Sequence, residues 1–160
     1  MHKFIFVLFS LSVIIACKED NKKNKVETSE VSFTKDGELT FYKNSEILTK
    51  IDIETAVSDY EQQTGLMYRE SMQPHQGMLF IYENERPRPN FYMKNTYIAL
   101  DLVYINAKNQ VVEINKNTTP RSSQPISAQA PAKYVLEVNA GFTDQWNIQV
   151  NDSVEFQLEK

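Results

Sequence analysis

Three charged side chains sit among apolar neighbours and mark where this sequence could carry chemistry. Arg69 follows Leu66-Met67-Tyr68, Asp101 lies between Leu100 and Leu102, and Glu137 lies between Leu136 and Val138. Two carboxyls held ~5 to 9.5 Å apart across a groove can act as the acid and base of glycoside hydrolysis. A guanidinium beside them would hold substrate charge in its planar fork. Because a buried charge without a partner is strongly unfavourable, Arg69 is expected within salt-bridge reach of Asp101 or Glu137. Strand alternation gives a competing expectation, in which the two acids face solvent and the leucines face inward.

Soft-metal chemistry is the second candidate. Met67, Met72, Met78 and Met93 fall close together with His75, and thioethers select Cu(I). A site of Met67, Met78, Met93 and His75 competes with the plainer expectation that methionine in an apolar run fills a core, and the plainer one is preferred. Tyr92, Tyr97, Tyr104 and Trp146 could stack on sugar rings or pack across strands. Tyr92 and Asn95 join Arg69, Asp101 and Glu137 as the candidate ligand-binding set, with no catalytic residue assigned and no cofactor expected.

Cys17 is the only cysteine, and His75 is the only histidine beyond His2. The folded part therefore has no disulfide, no cysteine nucleophile and no multi-histidine zinc site. Neither a Gly-x-Ser-x-Gly elbow nor a phosphate-cradling glycine loop occurs.

The N-terminus carries an address. Met1-His2-Lys3 precedes an apolar run, residues 4–15, that suits a signal peptide but falls short of the ~20 residues needed to span a bilayer. Ile14-Ile15-Ala16-Cys17 resembles a lipobox, so residues 1–16 are expected to be a lipoprotein signal peptide and Cys17 the lipid-bearing first mature residue. Residues 17–30, with Val26 as their one large apolar side chain after Cys17, are expected to form a flexible tether, and residues 31–160 one globular domain. The expected location is the bacterial cell envelope, lipid-anchored at the outer membrane. The formal net charge is −4, and removing residues 1–16 takes Lys3 away and leaves −5. Nucleic acid is therefore not an expected partner.

The elements that must position these residues are mostly strands. Ile51, Ile53, Thr55 and Val57 alternate with polar positions, predicting one buried face. Short strands are predicted over residues 77–82, 100–105, 110–114, 134–138 and 154–158, with a hairpin turn at residues 106–109. Ser58-x-x-Glu61 is a capping box, and Gly65 can close the short helix that follows in the left-handed conformation. A second turn of helix is predicted near Phe142, and residues 118–131 read as an irregular loop. The fold class is mainly β (α+β), a small antiparallel sheet or partly closed β-barrel with one or two short helices.

Five blocks, Gly65-Leu66-Met67-Tyr68-Arg69, Gly77-Met78-Leu79-Phe80, Phe91-Tyr92-Met93-Lys94-Asn95-Thr96, Leu100-Asp101-Leu102-Val103-Tyr104-Ile105 and Leu136-Glu137-Val138-Asn139-Ala140-Gly141, occur in an order that resembles the domain of unknown function 192 family. The chain departs from it at Gln62 and Gln63, where an arginine is common, and at Tyr92, where tryptophan is common. The resemblance implies a compact, mainly β domain of the bacterial envelope and implies no reaction. The functional expectation is a non-catalytic module, anchored to the membrane through lipid on Cys17, that binds a small molecule, a glycan or an envelope protein. The alternatives are the Asp101/Glu137 hydrolase with Arg69 and the methionine-lined Cu(I) carrier.

Overall fold

The computed structural model describes residues 31–88 and 91–159. The expected signal peptide, Cys17 and the tether lie outside the described residues. Seven strands and two short helices follow one another as β1 (Gly37–Lys43), β2 (Glu46–Ala56), α1 (Asp59–Thr64), β3 (Gln76–Pro87), β4 (Leu100–Ile105), β5 (Val111–Asn115), β6 (Pro131–Asn139), α2 (Phe142–Gln145) and β7 (Ser153–Leu158).

All strands join one sheet in the order β5-β4-β6-β3-β2-β1-β7. The mainly β fold with short helices forms as expected, with two refinements. The sheet is mixed, because β2 and β3 run parallel, with Ile53 opposite Gly77. A parallel pair needs a crossover of about a dozen residues or more, and residues 57–75 provide it. Nor does the sheet close into a barrel: its outermost strands meet at their ends, through a bridge between Gln110 and Ser153 and backbone bonds that include the Val111 amide to the Asp152 carbonyl, 2.8 Å, and the Asn151 amide to the Val111 carbonyl, 2.9 Å.

The sheet is covered on both faces. One face, with Leu39, Phe41, Ile53, Leu79, Val103, Leu136 and Val138, packs against Phe142 and Ile148. The other, with Met78, Phe80, Leu102, Tyr104 and Val135, is covered by Leu66, Met93 and Ala128 from the connecting segments. Hence β4 is buried along its whole length, as expected of a strand with no wet face. The alternation predicted for β2 fails at its end for the same reason: Glu54 is buried, while Val57, beyond the strand, is exposed.

Helix α1 starts as its sequence dictates. The Ser58 Oγ accepts from the Glu61 amide at 3.3 Å, and the Glu61 carboxylate accepts from the amides of Ser58 and Val57 at 2.8 and 3.0 Å. Those backbone bonds hold the Glu61 carboxyl below the usual carboxylate range. Gly65 ends the helix with its amide on the Glu61 carbonyl. Its φ of 47° is positive but its ψ of −131° is not that of the left-handed helix expected there. A Cβ at Gly65 would lie 2.9 Å from Phe80 Cζ, so both conformation and space require glycine.

Candidate functional site

A cleft of about 540 Å³ opens over the second face of the sheet. One wall is the end of α1 and the turn after it, through Gln62, Gly65 and Met67. The opposite wall is the far end of β3 and the segment after it, with Tyr82, Arg86, Arg88, Phe91 and Tyr92. Phe80 and Glu137 line its base. The walls are held firmly. Gln62 donates its side-chain amide to the carbonyls of Ile81, at 2.8 Å, and Val57, at 3.0 Å, clamping the helix to β3. Phe80 and Phe91 pack edge to face with centroids 5.4 Å apart.

Glu137 is the unusual group. The registers place it opposite Met78 on β3 and Leu102 on β4, in the middle of an apolar surface. Its residue exposure is 7%, and its carboxyl has neither a hydrogen bond nor an ion pair among the described residues. Burial pushes it up to about 8, well above the carboxylate range. At neutral pH the group is therefore mainly a carboxylic acid, able to donate as well as accept. Burial also pushes the neighbouring Tyr82 hydroxyl up to about 12. The buried Tyr104 hydroxyl has no hydrogen-bond partner among the described residues.

Arg88 is fixed in the wall. Its guanidinium carbon lies 3.6 Å from the centroid of the Tyr82 ring, its Nε donates to the Ala132 carbonyl at 3.2 Å, and its Nη2 donates to the Asn84 carbonyl. The Arg88–Tyr82 stack also lines a second cleft of about 740 Å³ that shares Gln62 and Arg86. Arg86 is exposed at the rim.

The remaining candidates are dispersed. Arg69 pairs with neither expected acid: its Nη2 lies 2.7 Å from Glu54 Oε2, with both side chains 7% exposed. The contact is a charge pair without the alignment of a hydrogen bond, and Arg69 Nε has no partner among the described residues. The second Glu54 oxygen accepts from the Thr34 amide at 2.7 Å.

Asp101 is fully buried, and its carboxylate accepts from the Asn117 amide (2.9 Å), the Thr143 amide (3.1 Å) and the Thr143 hydroxyl (2.7 Å). It ties β4 to the loop after β5 and to the start of α2. Because Asp101 stands opposite Val138 while Glu137 stands opposite Leu102, the two carboxyls lie on opposite faces of the sheet. They form no acid and base pair across a groove, which corrects the hydrolase expectation. The solvent-facing alternative fails as well, since both faces are covered.

Asn95 and Tyr68, both at positive φ, lock together at the surface. The Tyr68 amide donates to the Asn95 carbonyl, and the Asn95 side-chain amide donates to the Tyr68 hydroxyl at 2.9 Å. Met78 and Met93 are buried in the second core, and Met67 lines the cleft. His75 rests on Trp146, 5.8 Å between centroids, and Trp146 packs against the first core. The four residues of the copper expectation are therefore not gathered, because two of them are packing. Of the ligand-binding set, Glu137 and Tyr92 meet at the cleft, while Arg69, Asp101 and Asn95 do not line it. Sequence reasoning missed Glu54, Phe80, Tyr82 and Arg88.

The model of domain of unknown function 192 (DUF192), described as "Uncharacterized ACR", matches residues 40–156. Among solved structures, the chain is similar to a protein of Sinorhizobium meliloti 1021 named as a candidate transcription regulator, with 34% identity over 79% of this chain and 97% of that one and a TM-score of 0.73. It is also similar to a protein of unknown function from Novosphingobium aromaticivorans DSM 12444, with 30% identity over 74% of this chain and 83% of that one and a TM-score of 0.69. No curated protein matches the chain.

Proposed function

The chain belongs to the DUF192 family, and from that premise we propose that it is a non-catalytic module of the bacterial envelope, anchored through lipid on Cys17, that takes a small molecule into the cleft over Glu137. The observation that carries this reading is the lone carboxyl at the base of the cleft. Buried polar groups in native proteins are nearly always bonded, and this one has no partner among the described residues while opening onto a space of small-molecule size. Its isolation also argues against acid and base catalysis, since Asp101 is engaged on the opposite face. The candidate-regulator description belongs to the Sinorhizobium protein. In this chain a net charge of −4 weighs against nucleic acid as the partner.

The test is a saturation-transfer NMR screen of small-molecule fragments against the full chain in detergent micelles, comparing wild type with Met67→Trp, which fills the cleft from its wall. Fragments should bind the wild type and be lost from the variant while its melting temperature holds. Absence of fragment binding, or binding indifferent to the plug, sinks the proposal.

A further inference from the structure

We propose that the ligand taken by this cleft is an organic ammonium on an aromatic or apolar body, its nitrogen seated on the Glu137 carboxylate. This deepens the small-molecule reading above and rests on it.

The argument begins with which group can satisfy Glu137. Arg88 and Arg69 are both engaged, and a third arginine, Arg86, is exposed at the rim of the cleft. Arg88 is held by the carbonyls of Ala132 and Asn84 and by the Tyr82 ring, and Arg69 is paired with Glu54. Met78 and Leu102, its cross-strand neighbours, offer no donor. Among the described residues no donor reaches the carboxyl, and the cleft is the way in for one from outside. A neutral or an anionic ligand would engage the carboxyl only in its protonated form. An ammonium converts the burial cost into a charge-assisted bond.

The walls agree with a cation. Phe80 at the base and Phe91 and Tyr92 in the wall present aromatic surface to the cleft, and Met67 adds a polarisable sulfur. Aromatic faces attract a desolvated cation through the negative face of the ring. Two arginines also line the cleft: Arg86 is exposed at its rim, and the buried Arg88 is turned to the Ala132 and Asn84 carbonyls and the Tyr82 ring.

The proton balance gives a signature. The ammonium arrives as R–NH3⁺, and Glu137 gives up its carboxyl proton to solvent as the pair forms, so one proton leaves for each ligand bound when Glu137 starts protonated. The titratable groups facing it are the Tyr82 hydroxyl on β3, which burial holds to about 12, and the Tyr104 hydroxyl on β4, which burial also raises. Neither titrates between pH 6 and 9 on that basis. The crossover segment facing Glu137 supplies Gln62, Gln63, Thr64 and Gly65, none of which titrates. Proton release should be near one at about pH 6.5 and vanish at about pH 9.

Isothermal titration of the full chain in detergent with phenethylamine, phenylacetate and 2-phenylethanol, in buffers of different ionisation enthalpy, tests this. Phenethylamine should bind at least about 10-fold more tightly than 2-phenylethanol, with the proton release stated, and Glu137→Gln should abolish that preference. The proton count is read on the wild type, so it stands even if the variant folds poorly. A preference for phenylacetate, an amine no better than the alcohol, or amine binding without proton release overturns the ammonium class and leaves the cleft reading intact. All three probes silent, while fragments sensitive to Met67→Trp still bind, overturns the ammonium class alone. Silence of probes and fragments together overturns both.

Discussion

Arg69 Nη2 lies 2.7 Å from Glu54 Oε2, joining the turn after α1 to the central part of the sheet through a pair of which neither side chain is more than 7% exposed. Removing one member of such a pair strands the other in a low-dielectric site. Arg69→Ala should therefore lower unfolding free energy by about 3 to 5 kcal/mol. Replacing both charges, Arg69→Met with Glu54→Leu, should recover most of that loss, because well-packed apolar residues often match a buried ion pair. Urea denaturation of the three variants decides. A single-variant loss below about 1 kcal/mol would mean that the pair behaves as a surface contact.

Asp101 does a different job from Glu137 although both interrupt apolar runs. Its carboxylate serves three donors at once, so Asp101→Ala leaves the buried Thr143 amide without an acceptor and releases the Asn117 amide. A loss of about 3 kcal/mol is expected, together with faster hydrogen exchange at those two amides. Thr143→Val, which removes only the hydroxyl donor, should cost less, about 1 kcal/mol. Equal losses for the two variants would contradict this division.

The contrast between these acids shows what was legible in the sequence. Most strands were, because β-branched and aromatic residues cluster between turn formers, and so was the capping box at Ser58. Strand β1 was overlooked although Leu39 and Phe41 alternate with polar residues. Its hairpin uses Asn44-Ser45 at φ of 50° and 72°, a pair that signals a turn less clearly than Asn-Gly. The orientation of the acids was not legible, because alternation assumes one wet face. Val135, Leu136 and Val138 occupy both parities around Glu137, and that pattern is the available sign that both faces are covered and the acid buried. Glu54 carried no such sign: between Ile53 and Thr55 it looks like an outward residue. Arg69's partner depends on where the crossover returns, which local pattern does not encode.

The anchor proposal is independent of the folded domain and is tested separately. Cys17→Ser removes the thiol that would carry diacylglycerol, so the variant should move from the membrane fraction to the soluble one and lose labelling by an acyl probe. Two or more acyl chains hold a protein far more firmly than one, so the shift should be nearly complete. Wild-type protein without label, or a variant still sedimenting with membranes, would dispose of the lipoprotein reading.

Glu137 makes stability depend on pH in a direction opposite to that of an ordinary paired carboxylate. In the unfolded chain its proton leaves near 4.5, while in the fold burial holds it to about 8. Between those values the native state keeps a proton that the unfolded chain has lost, so the stability associated with this group is full below the lower value and declines as pH rises through the upper one. Tyr82, pushed up to about 12, does not titrate in that window. Glu137→Gln keeps the shape of the protonated acid at every pH. It should match wild type near pH 4.5 and become the more stable protein as pH rises, by about 3 to 5 kcal/mol at pH 9 if the carboxylate remains buried. Melting temperatures of the two proteins from pH 5 to 9 give the difference directly. A difference that stays flat across this range would show that the carboxyl ionises as freely as in solvent, and would remove the premise that it waits for a partner from outside the protein.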